Sequence, residues 1–421
     1  MAGHRRFLQG KDKRMWRTAA AAAALVVTAL LAARPAAAQK PADEVFRARA
    51  AISLPNGQKV ISFDISYDDP ALGLYFLADR TNKAVDVVDV QTNQVVEQLT
   101  ANFAGIVGSN FNQAGPNGIL TVGHRFLWAG DFGSGLGGLV KVIDLTNGSL
   151  VATINTGGTA RADELCYDPV DHVILIANDA EPLPPSGTGP YVTFINSQTY
   201  QVLGQIFMNG QNGSPLATNG IEQCQWSRKT DKFYLNIPEV NGPGTDAAPG
   251  AVLVIHPTKM KIVKTFNIPH DQCEGPQGMA IGPENQILLG CNDPLKDVPS
   301  TVVINLHNGN VIHVLRNEDG SDQVWFNHGD GHYFLAESGG ANPQHLGVVD
   351  AQTGKEDRSP QTGLAGKGGV HSVAADATTL KVFVPIATTS GAGVCSSVGG
   401  DDSDGCIAVF KAARQKNEEG L

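Results

Sequence analysis

Apolar and β-branched residues alternate with polar ones in short runs along most of the chain, and Gly, Asn, Asp and Thr cluster between the runs. The segment "YFLADRTNKAVDVVDVQTNQVVEQL" (75–99) is representative: three runs of strand length, separated by polar turns. The pattern returns in "GGLVKVIDLTNGSLVATINTGG", "GPYVTFINSQTYQVLGQIFMNG", "GAVLVIHPTKMKIVKTFNIP", "STVVINLHNGNVIHVL" and, more weakly, "HLGVVDAQTGKEDRSP". Other strand pairs, such as "GIEQCQWSRKTDKFYLNIP" and "GPQGMAIGPENQILLGCND", precede these segments. The unit is therefore four short strands. A sheet that small has two apolar faces and can cover neither, so each copy must lean on the next. Strand-only repeats with a period of about 45–55 residues predict a β-propeller. The absence of an amphipathic helical pattern after residue 38 argues against α/β alternatives.

Between Val60 and Ile386 the repeats make seven blades of four antiparallel strands. The last blade has a third strand, "CIAVFKA", but no fourth, whereas "EVFRARAAISL" precedes the first blade without a partner. Closure follows: the N-terminal strand becomes the outer strand of blade seven and removes two free edges. Residues 1–38 read as a signal peptide, with basic residues, the apolar run "TAAAAAALVVTALLAA" and an Ala-x-Ala site. The propeller is expected over 39–413 and a polar tail over 414–421.

"YFLADRTNKAVDVVDVQTNQVVEQL" and "VKVIDLTNGSLVATINTG" resemble the YVTN-type repeats of exported bacterial propellers. The resemblance covers most of the chain after residue 38 and implies the same fold. It does not imply one activity, because propellers host many.

Charge and cysteine usage narrow the setting. The net charge of −10 deepens to −16 once the leader, with seven Lys/Arg and one Asp, is removed. That acidity argues against nucleic acid and anionic lipid as partners, and no membrane span is expected after signal cleavage. All six cysteines follow the leader, and none shows CxxC spacing, which points to disulfides in an oxidising compartment, periplasmic or secreted. Cys395 and Cys406 bracket one glycine-rich loop. Cys273 and Cys291 border one strand pair. Cys166 and Cys224 sit on inner strands of adjacent blades, where they are expected to bridge blades three and four.

Aligning the inner strands puts Asp163, Glu222, Gln277, Asp322 and His371 at one position, and the first two blades, which align less well, offer Asp64 and Asn117 within one residue of it, so that a polar residue recurs in every blade at spacings of 45 to 59. Because inner strands line the central channel, these residues are expected to ring its mouth. Crowded carboxylates need compensation, and oxygen-rich ligation suits calcium or another divalent cation. Asp163, Glu222, Asp322, Gln277 and Asn117 are the candidate ligands. The second-strand ends add Asp79, Asp131, Asp179, Asn236, Asn292, Asp293 and Glu337 around the rim, though turn chemistry accounts for such residues equally well. His328 and His332 in "NHGDGHY" read as turn residues.

Two function classes stay open. In the first, the loop-rich acidic face holds a small molecule or a partner protein. In the second, the protein resembles calcium-dependent propeller lactonases: a metal-dependent hydrolase or lyase with Glu222 and His371 in the reaction and His371 as general base. No GxSxG, P-loop, HExxH or CxxCH motif is present, so neither a nucleotide nor a covalent haem is expected.

Overall fold

The computed structural model describes residues 44–181, 189–292, 301–318, 320–337, 342–357 and 359–414. The leader over 1–38, Asp293 and residues 415–421 of the tail lie outside them. Seven antiparallel sheets follow one another around an axis, over 66–99, 119–157, 165–207, 224–268, 276–315, 321–363 and 374–414. The last is completed by Glu44–Ile52, which pairs with Cys406–Arg414 from Glu44↔Arg414 to Ile52↔Ile407. This is the expected all-β, seven-bladed propeller, closed by its N-terminal strand.

The burial pattern explains why the sequence reads as it does. In blade 1, Leu74–Asp79 and Ala84–Asp89 are buried at every position, because neighbouring blades cover both faces. The outer strand Gln94–Leu99 is largely exposed or half-buried. The core is thus distributed between blades. Phe76, Val85 and Val87 of blade 1 pack with Ile119, Leu127 and Ile143 of blade 2. Tyr75 stacks on Phe383 of blade 7 with ring centroids 4.7 Å apart. Asp at strand ends sets the turns: Asp89 Oδ1 accepts from the main-chain N–H groups of Gln91 and Thr92, both at 2.9 Å.

Blade 6 departs from the simple repeat. Its outer edge is split into Lys355–Glu356 and Gln361–Gly363, both pairing with Gln344–Asp350. Pro360, which has no N–H to give a ladder, lies between them. His332 is also not a turn residue. It opens the strand His332–Glu337, is buried, and lies 3.3 Å from Asp357. A four-residue helix, Val394–Ser397, spans the start of the Cys395–Cys406 loop.

All three disulfides form as the strand alignment requires: Cys166–Cys224 between blades 3 and 4, Cys273–Cys291 within blade 5, and Cys395–Cys406 around the last loop. Such bridges belong to an oxidising, extracytoplasmic environment. Among the described residues no helix is long and apolar enough to cross a membrane.

Candidate functional site

The ring forms because equivalent residues of successive blades meet the second strand in the same way. The N–H groups of Asp64, Asn117, Asp163 and Glu222 donate to the carbonyls of Ala78, Gly130, Ala177 and Asn236 at 2.8–3.0 Å. Gln277 and Asp322 hold the corresponding place within Pro276–Ile281 and Ser321–Asn327, and His371 precedes Ala374–Asp376. Gly118 and Gly130 let blade 3 approach closely. A Cβ on either would run into the main-chain oxygen of Asp163.

Two arginines hold the mouth together, and the sequence pattern did not single them out. Arg80 Nη2 lies 2.5 Å from Asp64 Oδ2, while its Nε and Nη2 donate to Asn117 Oδ1 at 3.1 and 2.8 Å. Asn117 Nδ2 in turn donates to the carbonyls of Ala114 and Ala162. Asn117 is therefore occupied in positioning Arg80. Arg161 Nη2 lies 2.5 Å from Asp163 Oδ2 and 3.5 Å from Asp179 Oδ2. Asp179 also accepts from Ile221 N–H at 3.0 Å.

His371 faces this cluster. Its Nε2 is 3.0 Å from the Phe63 carbonyl, which can only accept, and 3.7 Å from Asp64 Oδ1. The ring stacks on Phe63 at 4.8 Å. Ligand atoms of Asp64, Asp322 and His371 all lie within 4.8 Å of one another, a spacing that could hold a metal ion. With Asp64 Oδ2 on Arg80, Oδ1 is the oxygen left for such an ion.

Electrostatics give the cluster its character. Five carboxyl groups (Asp64, Asp163, Asp179, Glu222, Asp322) gather against two guanidinium groups and one imidazole. Full ionisation leaves two negative charges in excess even with His371 protonated. The carboxyls respond unequally. Burial raises Asp64, but Arg80, His371 and Arg161 outweigh it and hold this carboxyl below its ordinary value. Burial and the charge of Asp64 raise Asp163 despite Arg161. Asp179 is pushed up to about 7, chiefly by burial, with Asp163 and Asp322 opposing the pull of Arg161. Burial and its acidic neighbours raise Glu222 well above the carboxylate range, and burial with Asp64 and Asp163 raises Asp322. Burial disfavours the His371 imidazolium, yet Asp64 and Asp322 raise its pKa overall.

The remaining candidates serve neighbouring structure. The main-chain carbonyl of Gln277 accepts from Asn236 Nδ2 at 2.7 Å, tying blade 4 to blade 5. Asp79 accepts from the main chain and side chain of Asn82 in a turn. Asp131 pairs with Lys141 at 2.7 Å. Asn292 donates to Asp246 at 2.9 Å, and Glu337 lies 3.7 Å from His345. Of the rim set, Asp179 is brought to the ring and these others are not. A second group, Asp168, Asp171 and Asp231, converges where the first-strand turns of blades 3 and 4 meet and could also hold an ion. Its signal in the sequence is "DPVD" beside a turn aspartate one blade on.

Comparison with models of protein families finds no match, and comparison with curated proteins finds none. The chemistry of the mouth therefore carries the functional reading. Two carboxylates and an imidazole form a donor set for a divalent cation, and Glu222, whose side chain makes no ion pair or hydrogen bond among the described residues, adds a third carboxyl near them.

Proposed function

We propose that this protein is an exported, YVTN-like propeller that binds a small ligand on its acidic, loop-bearing face through a divalent cation on the axis. The cation is held by Asp64, Asp322 and His371, with Glu222 alongside. The observation that carries this reading is the convergence of those three donors within 4.8 Å, in a cluster whose full ionisation would leave two negative charges without a partner. One divalent ion supplies that charge. Arg80 and Arg161 hold their carboxylates apart from it and fix the cup, and a ligand carboxylate or carbonyl would complete the coordination.

Binding stands ahead of catalysis because of His371. In this reading His371 is itself a ligand: its imidazole must shed its proton to bind the ion, and a coordinated imidazole has no free lone pair with which to act as a general base. The hydrolase reading keeps the same ion but needs a base other than the coordinated imidazole.

The test is metal binding by the purified protein. After dialysis, titration calorimetry with CaCl2 and with MnCl2 should show one saturable site. Affinity should fall below pH 6 as protons compete for the ligands. Asp322→Asn should weaken binding at least tenfold, and Glu222→Gln less, without loss of fold. No saturable binding of calcium, manganese or zinc at pH 7.5, or unchanged affinity in both variants, would overturn the reading.

A further inference from the structure

Further along the inner strands from the ring lies a cavity of about 260 Å³. None of the seven ring residues lines it. Its walls come from the next positions along the inner strands and from Pro169 in the turn that ends the inner strand of blade 3. Four aromatic side chains, Tyr67, Tyr167, Trp226 and Trp325, contribute to these walls. Glu164 is the only carboxyl group and the only formally charged residue type among the lining residues.

Glu164 is an exception to a pattern. Directly after the ring position, blades 4 and 6 carry Gln223 and Gln323, each occupied with its neighbours. Gln223 Oε1 accepts from the N–H groups of Met279 at 2.6 Å and Val324 at 3.4 Å. Gln323 Oε1 accepts from Ser66 N–H and Val373 N–H at 3.1 and 3.0 Å, while its Nε2 donates to the Ser66 carbonyl at 2.8 Å. These amides clasp blades that lie one and two places further round. Glu164 holds the same register on blade 3 but makes no such clasp. It is only 6% exposed, no side-chain hydrogen bond or ion pair reaches it among the described residues, and it lines the cavity. Burial and the ring acids Asp322, Asp163 and Asp64 favour its protonated form, so this acid, unlike the satisfied amides at the same register in blades 4 and 6, has an ionised state that only an entering cation would stabilise.

We infer that this cavity binds a small organic cation, an amine or quaternary ammonium, with Glu164 as its counter-charge and the Tyr and Trp rings as its apolar wall. Aromatic rings attract a cation through their negative faces, most strongly where water is excluded. A neutral apolar guest would leave Glu164 unmet, and an anion would be repelled by it. The site takes no metal, although Glu164 feels the charges of Asp322, Asp163 and Asp64 in the ring.

The experiment titrates the purified protein with choline and with its neutral isostere 3,3-dimethylbutan-1-ol. Tryptophan fluorescence provides the readout, since two of the lining rings are indoles. Choline should give a saturable change in the presence of either EDTA or calcium, and the isostere should bind at least tenfold more weakly. Glu164→Gln should cost choline at least tenfold and leave the isostere and the melting temperature unchanged, because Gln already occupies this register in two other blades. Tyr167→Leu, on the half-buried rim, should weaken choline several-fold. This variant and the choline-to-isostere ratio of the wild type decide the matter if Glu164→Gln misfolds. The inference falls if choline, tetramethylammonium and ethylammonium all fail to saturate. It also falls if the isostere or glycerol binds as well as choline, or if Glu164→Gln folds and binds choline normally.

Discussion

Asp68 offers the sharpest check on the electrostatics of this fold. It lies on the innermost strand of blade 1, is 2% exposed, and neither of its carboxyl oxygens accepts a hydrogen bond. Burial first, and then the charges of Asp376 and Asp69, push its pKa up to about 9 from an ordinary 3.8. A carboxyl whose folded pKa lies above its unfolded value favours the native state fully below the unfolded pKa. It loses that advantage as pH rises through the folded pKa. Between pH 4 and pH 7 the loss is about three pH units at 1.36 kcal/mol each, or about 4 kcal/mol. Replacing Asp68 by Asn keeps the shape, removes the ionisation, and gives Asp376 a donor in place of a repelling charge. Asp68→Asn should therefore match the wild type to within about 1 kcal/mol at pH 4.5. It should exceed it by about 4 kcal/mol at pH 7.5, equivalent to about 5 °C in melting temperature for a domain this long. Urea denaturation followed by tryptophan fluorescence at pH 4.5, 6, 7.5 and 9 reads this directly. Parallel stability curves for the two proteins across that range would refute the reasoning.

Other outcomes follow from the same geometry. Arg161→Met leaves Asp163 and Asp179 buried without their cation and should destabilise the protein by about 3–5 kcal/mol. Adding Asp163→Asn should restore part of that, as thermal denaturation of the single and double variants will show. Deleting residues 39–52 removes the outer strand of blade 7 with its buried Phe46 and Ile52 and exposes the edge of Cys406–Arg414. Soluble yield should collapse, and a truncated protein that melts like the intact one would contradict closure by this strand.

The parts of this architecture that repeat were legible in the sequence. Seven copies of one strand pattern gave the blade count. The N-terminal strand and the missing fourth strand of the last blade were each unpaired, and the structure pairs them. Register did the same for chemistry: Asp64, Asp322 and His371 are separated by hundreds of residues in two of their three spacings, yet share one position relative to their strands. Cys166 and Cys224 were readable for the same reason. What register does not carry is the partner of each charge. Arg80 follows a strand end in "ADR", and Arg161 stands two before Asp163 in "RADE". Both lie off the ring position, and only the closed propeller turns them inward. The signal available was an arginine beside a ring acid in a chain with only 31 Lys and Arg. The rim acids Asp79 and Asp131 could not be told from Asp179 by type or place. Their difference lies in whether Asn82 and Lys141 or the axis claims the carboxylate, and that is a property of the folded ring.

The strand that closes the ring also sets a clock. Ile52 pairs with Ile407, so this strand waits for a partner made 355 residues (407 − 52) after it. At 5–20 residues per second that interval is roughly 20–70 s, during which "EVFRARAAI" has neither its sheet nor its cover. Arg47 and Arg49, both on the exposed face of the finished blade, act during that wait. A segment carrying two positive charges is a poor template for another chain's strand. Blades 1 to 6 can stack progressively as they emerge, but the cup of acids at the axis cannot exist until the terminus arrives.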